Sequence, residues 1–209
     1  MKVEVFHLNE EDPYKFVQDF IISNELKFLA EGECFSVYES KDNSKIIKIQ
    51  KINGNFEKIK EVFYWTDFCI NNQSSNFIPR LNKVNIYKFK SRSIYIIESE
   101  RLIETPKAIS GELSTILAPF VARDIKDINA NDISNIILRI KESNNLKRYL
   151  DETFYDFFKY LIKSIKEISN KQGDTSFNFD FHYKNIMLSP ITNKLIIVDC
   201  FNCSSYELE

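Results

Sequence analysis

Three oxygen-bearing side chains recur near the end of the chain, in FNFDFHYKNIMLSPITNKLIIVDCFN (177–202): Asp180, Asn185 and, after a run of β-formers, Asp199. A carboxylate at Asp180 can take the proton of an attacking hydroxyl. Asn185 and Asp199 supply hard oxygen ligands, the kind Mg²⁺ binds alongside phosphate oxygens and water. The pattern NIMLS…KLIIVDC reads as a hairpin, which brings Asn185 and Asp199 to one end of adjacent strands and suits two ligands of one metal. A purely structural alternative has both residues capping turns.

A cationic partner lies earlier, in KIIKIQK. Strand alternation places Ile47 and Ile49 on one face and Lys48, with Ile46 and Gln50, on the other. Such a lysine can snorkel to water. Turned toward a ligand it needs a counter-charge, because a desolvated, unpaired ammonium is costly. The helical stretch that follows offers Glu57 and Glu61, one turn apart. Upstream, LAEGECFSVYE is a strand, a turn holding Gly32 and a returning strand with Val37. A turn of this kind can fold over a phosphate chain and present backbone N–H groups, or can simply close a hairpin.

The elements that would position these groups follow from periodicity. Asp12-Pro13 opens a helix to about Ser23, with Phe16, Val17, Phe20 and Ile21 on one face. LKFLAEGECFSVYES and SKIIKIQK are strands joined by the polar turn KDNS, NFEKIKEVFYWTDFCI is helical, and NKVNIYKFK and SIYIIES form a strand pair. After ERLIETP strands give way to helices. Ile133, Ile136, Ile137 and Ile140 make one apolar stripe; Phe154, Phe157, Phe158, Leu161, Ile162, Ile165 and Ile168 make a longer one, which Gly173 ends. PKAISGELSTILAPFVARDIKDINA (106–130) carries no interpretable pattern. The expected organisation is an N-terminal helical extension (1–24), a β-rich lobe (25–102) and a helical lobe (103–209).

Bulk properties narrow the classes. With 209 residues, 44% of them hydrophobic and 28% charged, the chain can bury a sizeable core. A net charge of −2 provides no basic field for nucleic acid. No long uncharged apolar run predicts a membrane span, and MKVEVFHLNEEDPYKF is too acidic and interrupted for a signal peptide. Four cysteines are too few for a disulfide scaffold, and Cys200-x-x-Cys203 lacks a second ligand pair for zinc. Reduced thiols in a cytoplasm are the expectation.

In order and spacing, these segments resemble the protein-kinase-like superfamily, which includes the aminoglycoside and choline phosphotransferases. LAEGECFSVYE is similar to a degenerate glycine-rich loop, matching at Gly32 and Val37, while Ala30 and Phe35 stand where glycine is common. IIKIQ is similar to the strand bearing the phosphate-contacting lysine, here Lys48, with Glu61 as its helical partner and Glu57 as second choice. YIIESERL looks like the inter-lobe hinge, in which the backbone of Glu100 to Leu102 would bind adenine. FDFHYKNIML matches the catalytic loop, with Asp180 as base and Asn185 as metal ligand. LIIVDCF matches the strand end carrying the second metal ligand, Asp199.

The resemblance implies an α+β fold of truncated two-lobed kinase type, with a small antiparallel sheet lobe carrying one helix and a reduced helical lobe. It implies ATP and Mg²⁺ as cofactors and phosphoryl transfer to a hydroxyl. The departures are specific. Asn178-Phe179 replaces His-Arg before Asp180, Cys200-Phe201 replaces Phe-Gly, and only ten residues follow Asp199. Compact forms of this kind resemble effector kinases of bacterial pathogens and short kinase-like phage proteins, which would put the chain in a host cytoplasm. The short helical lobe favours a protein serine/threonine acceptor, and a partner protein covering that lobe. His182 favours a small hydroxyl-bearing substrate, and the eroded glycine loop favours a pseudokinase that acts by binding.

Overall fold

The computed structural model describes residues 2–9, 12–32, 34–52, 56–90, 92–121, 123–171, 175–199 and 201–205, with the side chains of 56–63, 175–176 and 201–205 outside that description. Gly173, Cys200 and the Cys203 side chain therefore lie outside it. The chain forms two compact units, one of residues 1–62, 66–73 and 79–101, the other of 63–65, 74–78 and 102–209.

The first unit is a six-stranded sheet with helices. Its strands are β1 (Lys2–His7), β2 (Lys27–Glu31), β3 (Phe35–Glu39), β4 (Lys45–Gln50), β5 (Leu81–Lys88) and β6 (Ser93–Glu100), in the order β1-β5-β6-β4-β3-β2. Every pairing is antiparallel except β1 on β5. The sheet is thus mixed rather than purely antiparallel: residues 1–24 contribute an edge strand as well as the expected helix, α1 (Pro13–Ser23). Asp12 starts α1 by accepting from the amides of Tyr14 and Lys15, and Pro13 occupies the first turn, where its missing N–H has no consequence.

One face of α1 covers one face of the sheet. Phe16, Val17, Phe20 and Ile21 pack on Ile47, Ile49, Phe89, Ile94 and Ile96. The Phe16 ring lies 4.6 Å from Tyr87 and 5.4 Å from Phe89. Glu39, buried on β3, is matched by the guanidinium of Arg101 and, at 3.9 Å, by Lys27. A buried carboxylate without such partners would be strongly destabilising. The helix α2 (Phe56–Asn71) follows β4.

The second unit contains β7 (Ile103–Glu104), α3 (Lys107–Val121), α4 (Ala130–Glu142), α5 (Glu152–Lys171), β8 (Thr175–Phe179), β9 (Ile186–Leu188), β10 (Leu195–Ile197) and β11 (Phe201–Ser205). The strands form two small sheets, β10-β9-β7 and β11-β8. Both apolar stripes read from the sequence are helices, and α4 opens with a reciprocal cap between Asn129 and Asp132. α5 is the spine of this unit, with Phe154, Phe158, Leu161, Ile162 and Ile165 at most 1% exposed. Phe158 stacks on Phe120 at 6.1 Å and on Phe154 at 5.8 Å.

α3 is the element the sequence reading left uninterpreted. Leu113, Ile116, Leu117 and Phe120 face inward at helical spacing, but Gly111 and Pro119, both poor helix residues, obscure the pattern. Pro119 lies in the last turn of the helix, where it removes the amide that would otherwise bond to the carbonyl four residues earlier. The overall class is α+β, as expected, with the anticipated sequence of glycine-turn hairpin, lysine strand, helix, strand pair, helices and terminal hairpin.

Two outcomes follow from this packing. Phe158→Ala removes a fully buried ring and should lower unfolding free energy by about 3–5 kcal/mol, measured as a shift in urea midpoint. Asp151 holds the start of α5 to Lys194 at 2.6 Å and also caps Thr153; that lysine, then the Thr153 hydroxyl, keeps its carboxyl below the ordinary aspartate range. A depressed folded value means this stabilisation is complete above the unfolded pKa and disappears as pH falls through the folded one. Asp151→Asn should therefore flatten the acid-side fall in melting temperature.

Candidate active site

Asp180 is positioned first by its neighbours in the chain. Phe179 and Phe181 are 0% and 2% exposed, and their rings stack at 4.5 Å with 14° between planes. Phe179 also stacks on Phe120 and Phe181 packs on Phe158. With both flanking rings in the core, Asp180 sits half-buried between two anchors.

The loop that follows is closed by Asn185. Its side-chain Nδ2 donates to the Asp180 carbonyl and to Asp180 Oδ2, each at 3.0 Å. Both amide hydrogens are then engaged, leaving Oδ1 as the atom able to meet a ligand. His182 supports the same turn: its carbonyl accepts from the Asn185 amide at 2.8 Å and its Nδ1 from the Lys184 amide at 3.4 Å.

Asp199 is held through the residues before it. β9 and β10 pair antiparallel with Ile197 opposite Ile186, and the Val198 N–H donates to the Asn185 carbonyl at 3.0 Å. The Ile197 N–H donates to Phe77 O at 2.9 Å, and Trp65 Nε1 donates to Val198 O at 2.7 Å. Asp199, exposed, comes one residue after this clamp. The hairpin thus sets Asn185 and Asp199 at the same strand ends. Asn185 Oδ1 and the Asp199 carboxylate are hard donors that fit Mg²⁺, which usually keeps waters and phosphate oxygens in its remaining positions. Among the described residues no group of three His, Cys, Asp or Glu converges as an alternative metal site.

Trp65 was not singled out from the sequence. It is the only tryptophan, sits in a helix with strong apolar spacing and is 7% exposed. A buried indole must find an acceptor for its N–H, and that requirement was the available signal; the identity of the acceptor was not.

The remaining candidates, Leu102 apart, belong to the sheet unit. Lys48 lies opposite Val37 on β3 and Ile97 on β6, so these two apolar side chains flank its stem on one face. Ile47 and Ile49 point the other way, into the α1 core. Glu57 and Glu61 lie in α2, where side chains fall outside the described residues. Gly32 donates its N–H to Phe35 O at 2.8 Å, and a Cβ placed on it would meet nothing closer than that oxygen at 3.5 Å. The turn therefore does not itself demand glycine.

Glu100 ends β6 and is tied to Arg80 twice: its N–H donates to Arg80 O and its Oε1 accepts from Arg80 N, each at 2.9 Å. Its Oε2 is buried with no partner among the described residues. Arg101 is fixed by Glu39, and half-buried Leu102 follows at the point where the two units divide.

No family model and no curated protein matches the sequence. Solved structures similar to the chain include the microcompartment-associated aminopropanol kinase, 8% identical with a TM-score of 0.40 over 90% of this chain and 71% of that one. Another is an aminoglycoside phosphotransferase from Streptomyces rimosus, 12% identical with a TM-score of 0.40 over 94% of this chain and 80% of that one.

Two substitutions probe these positions. Trp65→Phe leaves the part-buried Val198 carbonyl without its donor and should cost about 1–3 kcal/mol of stability, read by chemical denaturation. Gly32→Ala should leave stability unchanged or raise it by up to about 1 kcal/mol.

Proposed function

We propose that the chain is an ATP- and Mg²⁺-dependent phosphotransferase that transfers the γ-phosphoryl group to a hydroxyl of a small molecule. The observation that carries this reading is the clamp at the strand ends: Asn185 bonded to Asp180 on one side and, through its carbonyl, to the residue before Asp199 on the other. One base, one amide oxygen and one carboxylate are held by a shared backbone frame. Phosphoryl transfer asks for such positioning and for charge neutralisation, with little covalent chemistry from the protein.

The roles follow by residue type. Asp180 orients the acceptor hydroxyl and takes its proton as the oxygen–phosphorus bond forms and the bond to the β-phosphate oxygen breaks, releasing ADP. Asn185 and Asp199 would hold Mg²⁺, which when bound offsets phosphate charge. Lys48, partnered by Glu61, binds the α- and β-phosphates. The turn at Gly32, the Val37 side chain and the backbone from Glu100 to Leu102 bind the nucleotide.

The sequence favoured a protein serine/threonine acceptor because the chain looked too short to enclose a pocket. A cavity of about 470 Å³ nevertheless lies in the second unit, beside residues 183–187 of the candidate catalytic loop. That volume is typical of small-molecule sites, roughly 300–1,000 Å³, and supports a small acceptor.

The test is transfer from γ-labelled ATP to a panel of amino alcohols, polyols and sugars, with casein as the protein acceptor. Label on a small acceptor is expected; label confined to protein would favour the serine/threonine reading. Asp180→Asn should lower kcat by about 10²–10⁴-fold while retaining the Mg·ATP-induced rise in melting temperature. Asp199→Ala should lose the Mg²⁺-dependent part of that rise. No transfer and no Mg·ATP shift in the parent protein would leave a partner-binding module instead.

A further inference from the structure

The cavity beside the catalytic loop has a chemistry of its own. It is bounded by Glu104 and Thr105 at the end of β7, by Lys107 and Ser110 in the first turn of α3, by Tyr183 and Lys184, and by the apolar start of β9. Its lining thus includes two lysines and one glutamate.

The start of α3 adds to the positive side. Its 15 residues open with no acidic side chain in the first turn. The Ile109 and Ser110 amides bond back to Pro106 O at 2.8 and 3.1 Å, while the preceding amides belong to the set a helix leaves unpaired. That end carries the positive pole of the helix dipole, which favours an anion.

Thr105 is an independent sign of a ligand. It lines the cavity and is only 8% exposed, yet its buried Oγ1 has no hydrogen-bond partner among the described residues. A buried hydroxyl left unmatched costs about 1–3 kcal/mol, so a group that bonds to it in the bound state is expected. An oxyanion accepts from a hydroxyl, from backbone amides and from lysine at once; a cation or a neutral alcohol does not.

We propose that this cavity binds an oxyanion group of the acceptor, so that the substrate is a small molecule carrying both the reacting hydroxyl and a phosphate or carboxylate. This rests on the phosphotransferase reading above. Lys107 and Lys184 supply the attraction, Thr105 and the α3 amides fix the oxygens, and Glu104, which also lines the cavity, selects against a bulkier polyanion.

The experiment separates the two ideas by measuring oxyanion binding without nucleotide. Inorganic phosphate, glycerol 3-phosphate, glycerate and glycerol are titrated calorimetrically into the intact protein, with Mg·ATP titrated in parallel. The oxyanions should bind and glycerol should not; stronger binding of glycerol 3-phosphate than of glycerate identifies phosphate as the source, and the reverse identifies carboxylate. The double variant Lys107→Gln/Lys184→Gln, both positions exposed, should weaken that binding by about tenfold or more, equivalent to ~1.4 kcal/mol, with an unchanged melting temperature. Thr105→Val should weaken it while leaving the neutral control as it was.

Equal binding in the parent and the double variant, no oxyanion binding at all, or displacement of phosphate by Mg·ATP from the cavity would each overturn the proposal. Oxyanion binding without any Mg·ATP binding would instead sink the phosphotransferase reading on which it rests.

Discussion

The burial of Phe179 and Phe181 on either side of Asp180 is the constraint from which the candidate chemistry follows. Fully burying a phenylalanine stabilises by about 1.5–3 kcal/mol, and a stacked aromatic pair adds about 0.5–1.5 kcal/mol. Two such rings, resting on Phe120 and Phe158, can hold a polar residue between them without any hydrogen bond of its own to the core. Aromatic packing thus positions the loop that carries Asp180. Asn185 then folds the loop back on Asp180, and the hairpin β9–β10 sets Asp199 against the same frame.

The sheet unit positions its charge by a different device. Lys48 stands between Val37 and Ile97, so its stem is confined by apolar neighbours while the opposite face of the strand is buried against α1. The strand cannot slip by one residue without driving the lysine into the α1 core and exposing Ile47 and Ile49. At the far end of β6, the pair of hydrogen bonds between Glu100 and Arg80 and the ion pair of Arg101 with Glu39 fix the end of the strand within the sheet unit.

Local periodicity was enough for much of this. The stripes of α4 and α5, the alternation around Lys48, the Asp12-Pro13 start of α1 and the β9–β10 hairpin are written in neighbouring residues. Elements that depend on distant partners were not legible. β1 pairs with β5, some eighty residues away (Val3 opposite Val84), and no local signal names that partner. α3 carried helical spacing beneath a glycine and a proline whose cost only its buried face outweighs.

By itself the sequence determined which side chains could do chemistry and on what local element each sits, because residue type and periodicity are short-range properties. Tertiary structure alone decided what holds them: that Trp65 would donate to the carbonyl before Asp199, that Phe179 and Phe181 would stack, and that a cavity with two lysines and an unmatched threonine would open beside the loop. Those are outcomes of three-dimensional packing between segments far apart in the chain. Which buried donor meets which acceptor is settled only when the whole core closes and every polar group seeks a partner.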